Sequence, residues 1–557
     1  MAGDRAYNLV GMARQVPARR VAARFVSAAR EQLARRLPEL TSARWRDPDP
    51  LMPRWPIVST SRLLSSHEMN PYGCFTLRGV QVDIGDGLRW DQAEALPRLA
   101  RFDLHSWEWV WRMAAVPENQ AKQDVARLWE SWSLAHPYPY GDAWHPFVVS
   151  LRIWALLDVF DGLVRGGSAE ALVKDHLAVA GGYLRHNLEV HLQGNHLLKN
   201  LKALVGLAYA QDNREATLDA VHRFTVKADH QILPDGGHVE RSPSYHAHVL
   251  ADLLDVRDLA GALSIDTPRL DAITTRAQDW AAVMRHPGGS TPALNDSSRL
   301  DPAALDQMGV GRKRPSAEPQ EWILPSSGYA VLVCAPLSIV AEVGGPGPTE
   351  YPGHAHAGTL GFELAIDDDV VLCDTGVTEY SGTRRSYERS TDAHNTVTID
   401  GKNSSAVWGD FRAAHLARSS VVHSHKSESE VEVSARAELG GRLKPIVHER
   451  IWRLSRERLL IEDRILGTGV HELALHLHSV PGVIPVATPD GTRIGPLVVR
   501  FEAPEGLEPE VRGPDREHGV CGPSGLLEEA AVTILRGKTT LPCTIRTTLD
   551  LGRCQGL

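Results

Sequence analysis

GYAVLVCAPLSIVAEVG, residues 328–344, decides the fold. It alternates with β-branched residues, so it reads as strand. The same texture continues in LGFELAIDDDVVLCDTG (360–376), HNTVTIDG (394–401), SSVVHSHKSESEVEVSARA (419–437), ERIWRLSRERLLIEDRIL (449–466) and HELALHLHSV (471–480). Turn signals such as DDD and DG lie between them. Beyond about 485 the chain stays β-like with a weaker pattern.

Before that stretch the texture is different. From about 91 to 312 the chain reads as helix after helix, with apolar residues at helical spacing and short turn-rich breaks such as LPDGG (233–237). LPRLARFDLHSWEWVWRMAAV (96–116) carries Leu104, Trp107 and Trp111 on one face; HPFVVSLRIWALLDVFDGLV (145–164) starts at Pro146, a good first-turn residue, and is almost wholly apolar in its centre. No clean repeat is present. Helices first and strands afterwards imply an α domain and an all-β domain, and the many paired helices suggest a toroid or incomplete barrel of hairpins. With 557 residues, the chain exceeds the size at which one core stops growing. The boundaries fall at 1–56, 57–318 and 319–557, with RKRPSAEPQ (312–320) as the linker.

The N-terminus is basic. Arg19 and Arg20 form a twin-Arg pair, but Arg24 interrupts the apolar run that follows, so no signal peptide is recognised. A basic amphipathic helix ending near Pro38 is expected, either packed on the body or lying on a membrane surface or partner. DPDPLMPRWP (47–56) then reads as extended loop. No transmembrane span is visible. A net charge of −9 argues against nucleic acid. Cys74, Cys334, Cys373, Cys521, Cys543 and Cys554 form no CxxC pair and no disulfide framework, which fits a reducing compartment. The expectation is a cytoplasmic protein, with peripheral membrane association open through the N-terminal helix and homo-oligomerisation left open.

Three clusters carry chemistry. In GNHLLKN (194–200) Asn195 and His196 open a helix; the alternative reading is that Asn195 caps it and His196 lies on its surface. DGGHVERSPSYHAH (235–248) gathers Asp235, His238, Glu240, Arg241, Tyr245, His246 and His248 into a turn and a helix start. Tyr245, beside Arg241, would have its phenol eased towards proton transfer. In the third cluster, HAHAG enters a strand, where His354 and His356 would point the same way, and Asp374 and His394 follow from neighbouring strands. Two imidazoles and a carboxylate suit a zinc ion with water as fourth ligand; a polar β edge is the alternative.

NHLLKN, DGGHVERSPSYH, HAHAGTLGFEL and CDTGVTEYSGTRRSYERSTDAHNTVTIDG, with WGDFR following at 408–412, together resemble the signature run of heparinase II/III family proteins. The resemblance runs from about 107 to 478. It implies an (α/α) toroid followed by a C-terminal antiparallel β-sandwich, and a polysaccharide lyase or a relative of one. It implies that Asn195 and His196 neutralise a uronate carboxylate, that Tyr245 moves a proton, and that His354 is the catalytic His of the β domain. His356, Asp374 and His394 match residues that hold zinc in some members, and Tyr380 matches a substrate-facing Tyr. The acidic residue that some members place just after the Asn-His pair is replaced here by Lys199 and Asn200.

The implied reaction is β-elimination across a uronic acid of an acidic polysaccharide or oligosaccharide at an interdomain cleft. Neutralising the carboxylate makes the C5 proton removable. Tyr245 or His354 would take it, and Tyr245 would protonate the leaving oxygen. Glu240, Arg241, His246, Tyr380 and Arg389 are the expected substrate-binding residues, although Arg241 and Arg389 would equally pair with Glu240 and Glu388. A zinc, one per chain, would tie the loop carrying His354. The competing readings are a glycoside hydrolase using Asp235 and Glu240, and a non-catalytic glycan-binding protein of a polysaccharide-synthesis system.

Overall fold

The computed structural model describes residues 2–65, 68–69, 74–77, 80–84, 89–312, 318–350, 352–489, 491–523 and 525–552, with the side chains of 2–6 left aside. Cys554 and most of the expected 312–320 linker lie outside the described residues. The chain divides into two compact units. One comprises Pro17–Gln231 and His248–Thr274; the other comprises Met1–Val16, Ile232–Ala247 and Thr275–Leu557.

The N-terminus is three helices rather than one: α1 (Ala2–Gln15), α2 (Ala18–Arg36) and α3 (Pro38–Trp45). Pro17 and Pro38 set the breaks, because each lacks the N–H that a helix interior needs. On α2, Arg20 donates to the carbonyl of His191 (2.8 Å) and Arg30 to that of His186 (2.9 Å). Its apolar residues lie elsewhere: Phe25 is 72% exposed and Val26 48%.

The helical unit continues through α4 (Arg98–Ser106), α5 (Glu118–Ala135), α6 (Pro146–Val159), α7 (Glu170–His186), α8 (Gly194–Ala210) and α9 (Arg214–Gln231). The single helix expected over 96–116 stops at Trp107, whose φ is +63°, and a 3-10 turn, Glu108–Ala115, follows. Trp107, Trp109, Trp129 and Trp132 are fully buried there, so they are core rather than sugar platforms. Arg152 of α6 is buried among them, over the Trp132 ring and donating to the carbonyl of His105 (2.7 Å). The next two helices, α10 (Pro243–Ala262) and α11 (Pro268–Met284), begin and end in different units.

After α12 (Pro302–Gln307) the strands take over. A five-stranded antiparallel meander contains β1 (Gln320–Leu324), β2 (Tyr329–Cys334), β3 (Leu337–Glu342), β4 (Phe362–Ile366) and β5 (Asp369–Leu372). Residues of β2 are buried at every position, as an inner strand covered on both faces requires. A ten-stranded antiparallel sheet holds, among others, β6 (Val397–Ile399), β7 (Arg418–Lys426), β8 (Glu430–Glu438), β9 (Val447–Ser455), β10 (Arg458–His478) and β11 (Leu527–Leu551). Ile339 and Leu364 of the first sheet share one apolar core with Val433, Trp452, Ile461 and Leu475 of the second, a sheet-on-sheet sandwich. The runs read as two strands over 449–466 and 471–480 differ in outcome: 458–478 is one strand with an irregularity between Ile465 and Gly469. HAHAG is not the start of a strand. It is a turn-rich loop, and β4 begins only at Phe362.

Candidate functional site

The β-sheet unit gathers most of the expected residues around one that the sequence did not single out. Asp296 is fully buried in the loop after α11. Its two oxygens accept from His354 Nδ1 (2.8 Å) and His356 Nε2 (2.7 Å). The Arg385 guanidinium meets the same carboxylate with both terminal nitrogens, Nη2 at 2.8 Å. Burial pushes this carboxyl upward, but Arg385 and the two imidazoles outweigh it and hold it well below the usual carboxylate range. An ionised Asp296 requires that both imidazoles present N–H to it. That leaves Nε2 as the second ring nitrogen of His354, facing away from Asp296, and Nδ1 as that of His356. The two histidines converge as expected, through a shared carboxylate rather than through strand alternation.

Tyr245 stands on the other side of His354. Its ring lies 4.1 Å from the imidazole by centroids, and its hydroxyl donates to that of Tyr380 at 3.0 Å. Glu240 lies behind, with Oε1 3.8 Å from His354 Nε2 and Oε2 3.6 Å from His238 Nδ1. A proton taken up on His354 Nε2 thus faces two carboxylates, Asp296 and Glu240. The cluster holds an imidazole bonded through Nδ1 to a buried carboxylate, beside a phenol pair.

Three expected side chains do other work. Arg241, at φ +53°, sends its guanidinium to the carbonyls of Gly345 and Ser326. It neither pairs with Glu240 nor sits on the Tyr245 phenol. His246 is buried, donates from Nε2 to the Ala277 carbonyl (3.0 Å), packs at a tilt on Trp280, and is pushed down to about 3 by burial. Arg389 is buried against the carbonyls of Ala355 and Gly409, so Glu388 pairs with Arg384 instead. His246 is thus held against α11 and Arg389 against two loop carbonyls. Asp235 accepts from the Ser327 backbone (2.7 Å) and hydroxyl (3.0 Å), which commits it to a turn.

His356, Asp374 and His394 lie together, with one ligand atom from each within 4.8 Å of the others, all buried. His394 Nδ1 hydrogen-bonds Asp374 Oδ2 at 2.6 Å. His394 Nε2 and His356 Nδ1 are buried with no hydrogen-bond partner among the described residues. Burial raises Asp374, against the pull of His394. A further buried carboxylate, Glu342, is raised by burial to about 8. A Cβ on Gly358 would come within 3.0 Å of both Glu342 Oε2 and His394 Cγ, so only glycine lets these groups close up. Two bare imidazole nitrogens beside two strained carboxyls fit a divalent cation.

In the helical unit, Asn195 and His196 open α8. His196 Nδ1 bonds Glu189 Oε1 at 2.9 Å and its ring packs on Phe147. Asn200 donates to Glu189 Oε2 (3.0 Å) and accepts from the Glu189 backbone (2.8 Å). Burial raises the Glu189 carboxyl, but His196, His145 and Asn200 outweigh it and bring it to about 2. Lys199 is held by Asp252 at 2.8 Å.

The family model for the heparinase II/III N-terminus matches residues 62–310, and the model described as heparinase II/III-like, C-terminal matches 317–539. The chain belongs to the heparinase II/III family. Among solved structures, that of a heparinase III superposes with a TM-score of 0.70 at 14% identity, covering 90% of this chain and 88% of that one. Heparan sulfate lyase HepC from Pedobacter heparinus gives 0.53 at 18% identity, over 96% and 90%. At such identities the likeness is one of fold. By sequence, the chain is 26% identical over 505 residues to FtsZ-localized protein C of Caulobacter vibrioides, covering 88% of this chain and 82% of that protein. The heparinase II/III motifs made Tyr245, His354 and the metal cluster findable. Asn295 and Asp296 stand in an ordinary-looking loop, and no periodicity marks them.

Proposed function

We propose that the protein is a polysaccharide lyase that cleaves a uronic-acid-containing glycan by β-elimination. The observation that carries this reading is the Tyr380–Tyr245–His354–Asp296 array, in which Asp296 holds His354 by Nδ1 beside the Tyr245 ring. In the reaction, His354 or Tyr245 removes the C5 proton, and Tyr245 protonates the departing glycosidic oxygen, with Tyr380 positioning that hydroxyl. Neutralising the uronate carboxylate, the role the family resemblance implies for Asn195 and His196, stabilises charge spreading towards an enolate. A hydrolase would need two carboxylates facing the sugar, and Asp235 is committed to its turn. Tyr245→Phe is expected to lower turnover by roughly 10²–10⁴-fold with the fold intact. The assay follows the near-UV absorbance of the unsaturated product across a set of acidic polysaccharides; full activity in the variant would sink the assignment.

His356, Asp374 and His394 would hold a zinc ion, which would supply a fixed charge and anchor the loop that carries His354. About one zinc per chain is expected in freshly purified protein, and none by metal analysis would reject the site.

A second reading concerns where the protein works, and it rests on α2 and on the FtsZ-localized relative. The outward face of α2 combines Val21, Phe25, Val26 and Leu33 with flanking arginines, which suits an anionic membrane surface. We propose peripheral binding there, at FtsZ assemblies. Phe25→Glu should abolish co-sedimentation with anionic vesicles. Pelleting with FtsZ polymers tests the partner separately.

A further inference from the structure

We infer that the β-sheet unit carries a second site, distinct from the Tyr245–His354 cluster, that binds an acidic oligosaccharide. The inference takes its ligand class from the lyase reading. Its own basis is a cavity of about 710 Å³, within the range of pockets that bind small ligands. Arg14, Arg241, Arg418, Arg436 and Lys444 line it, against the single carboxylate of Glu438. That is a concentration of positive charge in a chain whose net charge is −9.

The cations come from separate parts of the chain. Arg14 lies in the last turn of α1 and Arg241 in the 232–247 segment. Arg418 opens β7, opposite Glu438 on β8, and Ser420 is opposite Arg436. Lys444 follows the turn after β8. Convergence of four segments is unlike a charged face along one element. Arg14, Arg418 and Lys444 form no ion pair among the described residues. Arg241 lines this cavity with its guanidinium held to the Gly345 carbonyl. None of Tyr245, His354, Tyr380 or Phe411 lines it.

The helix α1 completes the wall. Tyr7 stacks on His415 at 4.0 Å, and a Cβ on Gly11 would come within 2.4 Å of His415 Nε2. A side chain at position 11 would have to displace the His415 ring on which α1 seats. Arg436 is paired with Glu449, which leaves Arg14, Arg418 and Lys444 to attract a multiply charged anion, and the Arg fork matches carboxylate and sulfate oxygens. Leu416 and Pro346 add apolar surface suited to sugar faces. An oligosaccharide bearing several carboxylates or sulfates meets both demands.

The test is equilibrium binding of two fluorescein-labelled hexasaccharides, one sulfated and heparan-derived, one an oligogalacturonate, to the full chain. Tyr245→Phe is the background, so that binding is read without cleavage. At low salt at least one probe should bind, weakening as salt rises. Arg418→Ala with Lys444→Ala should weaken it about tenfold, and Gly11→Leu should weaken it by displacing Arg14. The control pair Lys426→Ala with Lys538→Ala removes equal charge elsewhere and should leave binding within about twofold. No binding of either probe, equal loss in the control pair, or unchanged binding in Arg418→Ala/Lys444→Ala would overturn the site. Failure of the lyase reading registers separately, as absence of unsaturated product with these affinities intact.

Discussion

At the scale of single residues, Asp296 organises the β-side chemistry. One carboxylate sets the tautomers of His354 and His356 and neutralises the buried Arg385. Asp296→Asn retains the size of the side chain but leaves Arg385 buried beside a neutral amide. Breaking a buried ion pair from one side costs about 3–5 kcal/mol, so the midpoint of denaturant unfolding should fall by a corresponding amount. Turnover should fall as well, because an amide no longer dictates which His354 nitrogen carries the proton. A variant within about 1 kcal/mol of the parent would show that Arg385 is compensated otherwise. The histidines and Tyr245 were legible because each sits in a dense run of unusual polar residues. Asp296 sits in TPALNDSS (291–298), where Asn, Asp and Ser look like any turn, and its value comes from what folds onto it.

At the scale of elements, the sequence conveyed kind better than extent. The apolar centre of 145–164 and the β-branched run of 328–344 became α6 and the strands β2 and β3, because their patterns match what burial demands. The N-terminal helix broke at its prolines, and two strand-like runs fused into β10, since strand length is set by pairing with the 25-residue β11. The start of α8 illustrates what spacing cannot convey. Lys199 and Asn200, which replace an acidic residue of some relatives, are consumed by Asp252 and Glu189. Glu189 sits at about 2, below its ordinary 4.5. Between those values the unfolded chain binds the proton more readily than the folded one. Its contribution, on the order of 3 kcal/mol, is therefore complete above about pH 4.5 and fades as pH falls towards 2. Glu189→Gln should lower Tm near neutrality, and the difference from the parent should shrink over that acid window. A gap in Tm that stays constant from pH 6 to pH 3 would contradict the charge-based account.

At the scale of the whole molecule, the switch from helical to strand periodicity revealed two kinds of architecture. The turn and helix start of 232–247 and the helical spacing of 275–284 carried no sign of which body those segments join, because a local pattern reports a buried face and not its partner. They belong to the compact unit that holds the sheets. That unit also holds His356, Asp374 and His394, whereas Asn195, His196 and Glu189 belong to the other. A chain of this size need not unfold in one step, and ligands stabilise only the unit that binds them. Calorimetry should resolve two transitions. Stripping metal with a chelator, or substituting His394→Ala, should lower the transition of the sheet unit by several degrees and leave the other in place, while Glu189→Gln should do the reverse. Should both transitions move together under chelation, the two units would be one cooperative body. Should neither move, the bare nitrogens of His356 and His394 would serve no stabilising cation.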